Sequence, residues 1–209
     1  MGYISLAYLN LSIKTQSRNF QSAMFFPMMS GNWQAYKNPR AAAQYIKEQF
    51  GDMSSAELDF IVGEGIIGSS VMLGERKAML DRMQGMATWQ EFADFLEESS
   101  VDRVEKAKRG TQRGLRTAEE LYQLADDIPK IMNYLGERES GFRVFVPEGT
   151  QNLSEQQMDD LFDMVSELIV KQGGRKVTRS ESTPAENLQK AIHARASFLT
   201  RRNIPNYNR

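Results

Sequence analysis

The sequence contains no cysteine among its 209 residues and only one histidine, His193. The absence of cysteine excludes disulfide bonds and thiolate metal ligands. A single histidine leaves no second imidazole for a catalytic pair or a histidine-rich metal site. His193 lies between Lys190 and Arg195 on a predicted helix, which favours a surface or interface position over a role as a base. We therefore expect no metal and no cofactor.

Long hydrophobic runs are also missing. Residues 1–13 are mostly apolar, but they lack the basic start and the small-residue cleavage site of a signal peptide. A membrane-spanning helix needs about 20 apolar residues, and neither this run nor the apolar stretch 20–33 provides them. Hydrophobic residues make up 41% and charged residues 25% of the chain, which is typical of a folded globular protein.

Negatively charged residues are absent from the first part of the chain, although the net charge of the whole chain is only −1. Residues 1–47 carry five bases and no acid, residues 48–170 carry 25 acids and 12 bases, and residues 171–209 carry nine bases and two acids. Basic ends around an acidic middle can contact surfaces of different charge. Alternatively, they neutralise the middle within one fold or one oligomer.

Helix-start signals recur along the chain. In a capping box, Ser or Thr is followed three residues later by Glu or Gln, and the two residues satisfy each other's backbone N–H groups. Such pairs are Ser54/Glu57, Thr88/Glu91, Thr117/Glu120, Ser154/Gln157 and Thr183/Glu186, and Asn38–Pro39 is a further start. The expected helix ends are Gly51, Gly136, Gly141 and Gly173–Gly174. These signals predict an all-α fold of seven or eight helices with short links.

Apolar periodicity supports the helices and adds one exception. Stripes with helical spacing cover 88–97, 154–172 and 188–199. The exception is FRVFV, 142–146, whose alternation predicts one short extended element. The expected organisation is an apolar, acid-free segment 1–36, a main helical region 37–139, an irregular linker 140–153, and a C-terminal helix pair with a basic tail, 154–209.

Two adjacent acids, Asp126 and Asp127, precede Pro129 in the stretch LYQLADDIPK. Proline in a helix lacks an N–H and clashes with the carbonyl four residues back, unless it lies in the first turn. One interpretation starts a new helix here, with one aspartate as its N-cap. The other continues the helix with a kink. Both give the acids a structural role at a helix junction, because no third metal ligand stands nearby.

No catalytic motif is recognisable. Gly63, Gly65, Gly68 and Gly74 match neither the spacing of a phosphate-binding loop nor that of a dinucleotide fold. Close helix packing and simple flexibility explain these glycines equally well. No Ser-His-Asp or Cys-His arrangement is present either. We therefore expect a non-enzymatic protein.

The basic ends of the chain contain the candidate interaction residues. They are Arg18, Phe25, Phe26 and Trp33 near the N-terminus, and Arg175, Lys176, Arg179, Arg195, Arg201 and Arg202 near the C-terminus. The C-terminal bases are suited to neutralising phosphates, and an acidic protein partner explains them equally well. The methionines beside Phe25 and Phe26 suit an adaptable contact surface as well as ordinary packing.

Three stretches follow one another in a pattern known from a protein family. The first, SIKTQSRNFQSAMFFPMMSGN, contributes Lys14, Thr15, Arg18, Asn19, Phe20, Ser22, Ala23, Phe26, Gly31 and Asn32. The acidic stretch contributes Asp126, Asp127, Lys130 and Tyr134, and the last stretch contributes Asn203, Pro205 and Tyr207 after an arginine-rich helix. In this order they resemble the internal virion proteins of tailed bacteriophages, the ejection or core proteins of the large polyvalent type. Pro129 departs from that pattern, and such proteins usually run on much longer, so the chain is either a short relative or a segment.

The resemblance implies a virion structural protein located in the particle interior. It would assemble with copies of itself or with portal or core proteins, and it would assist genome delivery into the host. Its basic C-terminal region would contact DNA or an acidic neighbour, and its apolar N-terminal segment would contact protein or the host membrane, which places it at the host envelope during infection. The alternative is a soluble helical adaptor or regulatory protein that binds another protein.

Overall fold

The computed structural model describes residues 25, 28–29, 37–52, 55–66, 80–95, 98 and 112–204, and in the last range it describes side chains from 127 onward. This part of the chain is 77% helical, with seven helices and no strand. The prediction of an all-α fold is confirmed.

The longer helices are α1 (Pro39–Asp52), α2 (Ser55–Gly63), α3 (Gln112–Phe145), α4 (Glu155–Lys171) and α5 (Pro184–Asn203). Shorter helical stretches cover 80–84 and 89–95, and a 3₁₀ turn covers Thr150–Asn152. The chain divides into two compact units, Met1–Met132 and Asn133–Arg209, called here the N-terminal and C-terminal units. Among the described residues, no helix combines the length and the apolar composition needed to cross a membrane.

The N-terminal unit begins its described part with a capped helix. The Asn38 side-chain oxygen accepts a hydrogen bond from the Ala41 N–H at 2.8 Å, which confirms the predicted start of α1. Lys47 of α1 forms an ion pair with Asp81 and bonds the Gln84 side chain, so α1 is linked to the 80–84 helix. Among the described residues of this unit, the buried side chains include Ala42, Ala43, Ile46, Ile61, Ile66, Met83, Phe92, Ala93, Asp127, Ile128, Lys130, Ile131 and Met132.

The helix α3 passes through Pro129 without a break, so the alternative of a new helix capped by Asp126 or Asp127 is wrong. Residues 127–136 are all buried, and tertiary packing can maintain a helix that local propensity would end. Asp127 is buried and interacts within the chain. The side chain of Asp126 lies outside the described residues.

Three other predicted boundaries in this region are also wrong, because α3 is longer than its local signals indicate. Thr117 lies inside α3 and does not begin a helix, and Gly136 and Gly141 lie inside α3 as well. The expected linker 140–153 is therefore helical up to Phe145, and the irregular part is reduced to the turn around 146–149 and the following 3₁₀ turn.

The predicted extended element FRVFV is helical as well. Its apolar residues fit two periods, since Phe142, Val144 and Val146 alternate while Phe142, Phe145 and Val146 also share a helical face. Phe142, Phe145 and Val146 pack in one cluster with Leu188 of α5, whereas Val144 is 65% exposed. The helical spacing is adopted because it packs three side chains on one neighbour, with Val146 buried and Phe142 and Phe145 partly buried.

The C-terminal unit contains three helices, with α3 antiparallel to α5 and α4 parallel to it. Asn133 of α3 bonds Thr200 of α5. Further along α3, Gly141 lies against Ile192. Val146, just after the end of α3, lies with Leu188. Early α4 residues such as Met158 lie with Leu188, and the late residue Ile169 lies beside Phe198. A parallel helix pair needs a long return connection, which residues 172–183 provide.

Both capping boxes of the C-terminal unit are confirmed. Ser154 and Gln157 bond each other's backbone N–H groups at the start of α4, and Thr183 and Glu186 do the same at the start of α5, with Pro184 in the first turn. The predicted stop at Gly173–Gly174 is confirmed too, because α4 ends at Lys171.

The return connection is attached to both helices by buried polar side chains. The Ser166 hydroxyl of α4 accepts a hydrogen bond from the Val177 N–H at 3.1 Å. The Asn187 side chain of α5 accepts from the Ser180 N–H at 2.9 Å and donates to the Ser182 carbonyl at 3.0 Å. These bonds satisfy backbone groups that an irregular segment would otherwise leave unpaired.

Candidate functional site

The structure separates the predicted C-terminal interaction residues into two groups. Arg175, Lys176 and Arg202 are exposed, and none has a hydrogen bond or ion pair within the described part of the chain. Arg201 is exposed and has an interaction within the chain. Arg179 and Arg195, in contrast, are engaged in internal contacts.

Arg179 holds the return connection against α4. Its guanidinium lies 3.2 Å from an Asp159 carboxylate oxygen and 2.9 Å from one of Asp163, and its carbon atom lies 5.0 Å from the centre of the Phe162 ring. Two carboxylates and an aromatic face engage the guanidinium within the unit, although the Arg179 side chain remains 41% exposed. Arg179 is therefore a structural residue of the unit.

The N-terminal candidates fall mostly outside the described residues, namely Arg18, Phe26 and Trp33. Phe25 is described and is 57% exposed, and nearby Met29 is also exposed. The exposure of these two side chains does not test whether the N-terminal segment forms a contact surface, so this stays a prediction.

A polar cluster between α3 and α5 contains the single histidine. The Tyr134 hydroxyl lies 2.8 Å from His193 Nδ1, and the His193 ring meets the Phe142 ring edge-on with centroids 5.8 Å apart. At the neighbouring position of α3, the Asn133 side-chain nitrogen donates to the Thr200 hydroxyl at 3.1 Å. The Asn133 side-chain oxygen is buried and has no hydrogen-bond partner among the described residues. His193 thus packs half-buried against α3 within its own unit.

An ion pair completes this cluster on its outer side. Glu137 of α3 and Arg195 of α5 approach to 4.0 Å, and their side chains are 14% and 22% exposed. The Arg195 guanidinium also lies 5.6 Å from the centre of the Phe145 ring. Burial raises the pKa of the Glu137 carboxyl above its ordinary value, and the charge of Arg195 opposes this rise without cancelling it.

Replacement of Glu137 by Gln is expected to stabilise the protein at neutral pH but not at acidic pH. Because the folded state binds the proton of Glu137 more tightly than the unfolded chain, this carboxyl lowers stability as pH rises above its ordinary pKa. Glutamine resembles the protonated acid, so the variant should equal the wild type at about pH 4 and exceed it at about pH 7. Urea unfolding midpoints at both pH values measure the difference.

A matched control for this prediction is Glu148→Gln, which removes the same charge from an exposed position shortly after the same helix. It separates burial of the carboxyl from a change in net charge. If Glu137→Gln were less stable than the wild type at neutral pH, the attraction of Arg195 would outweigh the cost of burial, and the expected order would be wrong.

The polar cluster can position helices but is poorly suited to catalysis. Tyr134 is only 1% exposed, so its hydroxyl cannot reach a substrate in this structure. Among the described residues, no group of three or more His, Asp or Glu side chains is placed to hold a metal ion. The cluster joins α3 and α5 through hydrogen bonds, and these bonds require one register of the two helices.

The exposed bases converge at one end of the C-terminal unit. A side-chain carbon placed on Gly174 would lie within 2.9 Å of the Phe198 ring, so the backbone at 174 rests directly on α5. Arg201 and Arg202 are three and four residues beyond Phe198, on the next turn of the same helix face. Arg175 and Lys176, which follow Gly174, therefore lie near them. We call Arg175, Lys176, Arg201 and Arg202 the basic end.

Sequence reasoning identified the residues of the basic end but missed the polar cluster. The cluster joins residues about sixty positions apart, and no local motif connects them. The single histidine on a helix with apolar neighbours was the one available signal.

Comparison of the chain with protein-family models, curated proteins and solved structures finds no match.

Proposed function

We propose that this chain is a non-enzymatic structural protein of a tailed-bacteriophage particle, an internal core or ejection protein. In this role it assembles with copies of itself or with portal-associated proteins inside the particle and assists delivery of the genome. The proposal rests on the ordered resemblance of three stretches to the internal virion proteins.

One structural observation links the acidic stretch to the arginine-rich helix that precedes the last stretch. The acidic stretch contains Tyr134, and the last stretch begins at Asn203 at the end of α5. Although far apart in sequence, these helices are in contact through Tyr134–His193 and the adjacent Asn133–Thr200 bond. The resemblance is supported by this contact between the acidic stretch, through Tyr134, and the arginine-rich helix, through His193.

The polar character of the cluster also suits a structural role. Its buried hydrogen bonds favour one register of α3 on α5, and such bonds contribute specificity when their partners are matched. A protein that transmits contacts within a particle needs defined helix positions and does not need an open pocket.

Peptide mapping by mass spectrometry of purified, DNA-containing particles from the source organism tests this function. We expect peptides from 155–203 in the particle fraction, protected from added protease until the particles are opened. A capsid surface protein cleaved in the intact particles serves as the positive control for the protease. Peptides continuing beyond residue 209 would identify a longer natural chain.

Absence of these peptides from the particles would contradict the proposed function. A free chain purified with one protein partner would instead favour the adaptor or regulatory role. Loss of the peptides by protease treatment of intact particles would place the protein on the outside and contradict an internal position.

A further inference from the structure

The parallel arrangement of α4 and α5 segregates the charges of the C-terminal unit. Acids favour the first turn of a helix and bases favour the last, because of the partial charges at helix ends. In an antiparallel pair these preferences cancel at each end, whereas in a parallel pair they add. The two ends of α5, about 30 Å apart for a helix of 20 residues, therefore carry opposite charge.

The end opposite to the basic end carries five exposed carboxylates. They belong to the turn before α4, the first turns of α4 and α5, and the return connection. They are Glu148, Glu155, Asp160, Glu181 and Glu186, and none forms an ion pair within the described part of the chain. We call this set the acidic end. The exposed Arg143, in the last turn of α3, and the exposed Lys190, in the second turn of α5, lower its net negative charge without cancelling it.

The middle of the unit is neutralised by its own ion pairs. Arg179 is paired with Asp159 and Asp163, Arg195 with Glu137, and Lys171 with Glu167. The charges of these residues are therefore compensated within the unit. Residues 133–209 contain ten acids and eleven bases, so the unit is close to neutral as a whole while its ends are not.

We propose that the basic end of one copy of this chain binds the acidic end of a second copy, head to tail. The two surfaces match in sign, since Arg175, Lys176 and Arg202 at the basic end form no ion pair within the described part of the chain, and neither do the five carboxylates of the acidic end. Because the contacting surfaces differ, this is a heterologous contact, which produces a ring or an open filament and not a symmetric closed dimer. The proposal specifies the contact through which copies assemble in the proposed function, and in this respect it rests on that function.

A second copy fits these observations better than a nucleic acid does. A duplex carries one negative charge for about every 1.7 Å of its length, and the acidic end of the same unit would repel a duplex lying along it. The acidic end also needs a basic partner, and a nucleic acid cannot be that partner because it is itself negatively charged. A second copy satisfies both ends with one contact.

Charge reversal of the full chain at each end separately tests the contact. The basic-end variant is Arg175→Glu, Lys176→Glu and Arg202→Glu, and the acidic-end variant is Glu148→Lys, Asp160→Lys and Glu181→Lys. All six side chains are exposed and lie outside both capping boxes, so circular dichroism should show an unchanged helix content. Sedimentation velocity over a range of concentrations measures association.

The wild type should associate in about 0.02 M salt and dissociate in about 0.5 M salt, because exposed charges are screened. Each variant alone should associate about tenfold or more weakly, since three exposed ion pairs are lost. An equimolar mixture of the two variants should recover association, because each supplies the end that the other lacks. The variant with all six reversals exchanges the two ends, and it should associate like the wild type.

Failure of the mixture to recover association would overturn the proposal, as would a wild type that stays monomeric in low salt. Binding of duplex DNA by a monomeric wild type, abolished in the basic-end variant, would assign the basic end to nucleic acid instead. These results are independent of the particle experiment. Association by charge without occurrence in particles would contradict the proposed function alone, and the reverse would contradict the head-to-tail contact alone.

Discussion

Phe162→Ala is expected to lower the free energy of unfolding of the C-terminal unit by about 3–5 kcal/mol, the cost of a large-to-small change at a buried aromatic. Phe162 is 2% exposed and packs with Val165, Ile169 and Ala191 between α4 and α5. Its ring also lies beneath the guanidinium of Arg179. Alanine would therefore remove core volume and the aromatic face on which the return connection rests.

This loss approaches the whole stability of a typical domain, about 5–15 kcal/mol, so partial unfolding of the variant is expected at physiological temperature. Hydrogen exchange of peptides from 155–203 measures it directly. Tryptophan fluorescence does not, because Trp33 and Trp89 both belong to the N-terminal unit. Fluorescence instead gives a separate signal from the other unit.

The matched control is Met164→Ala, two residues further along α4, where the side chain is 52% exposed. An exposed substitution of this kind should change stability by about 0.5 kcal/mol or less. Phe162→Leu keeps most of the volume and removes the ring, so it should cost less than alanine. If Met164→Ala and Phe162→Ala had equal effects, the proposed core between α4 and α5 would be wrong.

Gly174→Ala is expected to lower the free energy of unfolding by about 1–3 kcal/mol through overpacking. The added carbon would lie 2.5 Å from Ile169 Cγ2 and 2.9 Å from two atoms of the Phe198 ring. The Gly174 N–H also bonds the Ile169 carbonyl at 2.9 Å, and the Gly173 N–H bonds the Val170 carbonyl at 2.9 Å. This pair of bonds is the Schellman arrangement that closes a helix, so the backbone has little freedom to move away.

Gly173→Ala is a control that adds the same methyl group but lowers stability for a different physical reason. Nothing lies within 4 Å of a side-chain carbon added there, but the φ angle is +90°. Alanine at 173 should cost about 1–2 kcal/mol of backbone strain, and asparagine, which tolerates the left-handed region, should cost less. At 174 the order should reverse, since asparagine is larger than alanine. Asparagine tolerated at both positions would contradict the close contact with Phe198. Urea unfolding with hydrogen exchange of 155–203 measures all four variants.

Local signals in the sequence determined where several helices begin and end. Ser154, Thr183 and Asn38 each bond backbone groups only three residues away, so their effect needs no distant partner. The stop at Gly173–Gly174 is equally local. The all-α fold, which follows from such signals and from apolar periodicity, could therefore be predicted from sequence.

The tertiary structure decided the outcome where a local signal was ambiguous. Pro129, Gly136 and Gly141 all indicate helix ends, yet α3 continues because residues 127–136 are buried together and because Gly141 allows close contact with Ile192. The alternation in 142–146 is compatible with a strand or a helix, and contact with Leu188 selects the helix. A short apolar pattern cannot by itself specify which neighbour it will meet.

The candidate surfaces show the same division. The sequence determined that the C-terminal region is rich in bases, but it could not distinguish Arg179, which binds Asp159 and Asp163, from Arg175 and Arg202, which stay exposed. That distinction depends on the parallel packing of α4 and α5, which brings the return connection back along α4. Long-range packing decides which side chains form contacts inside the fold and which remain exposed at its ends, because a side chain's partner can lie far away in the sequence.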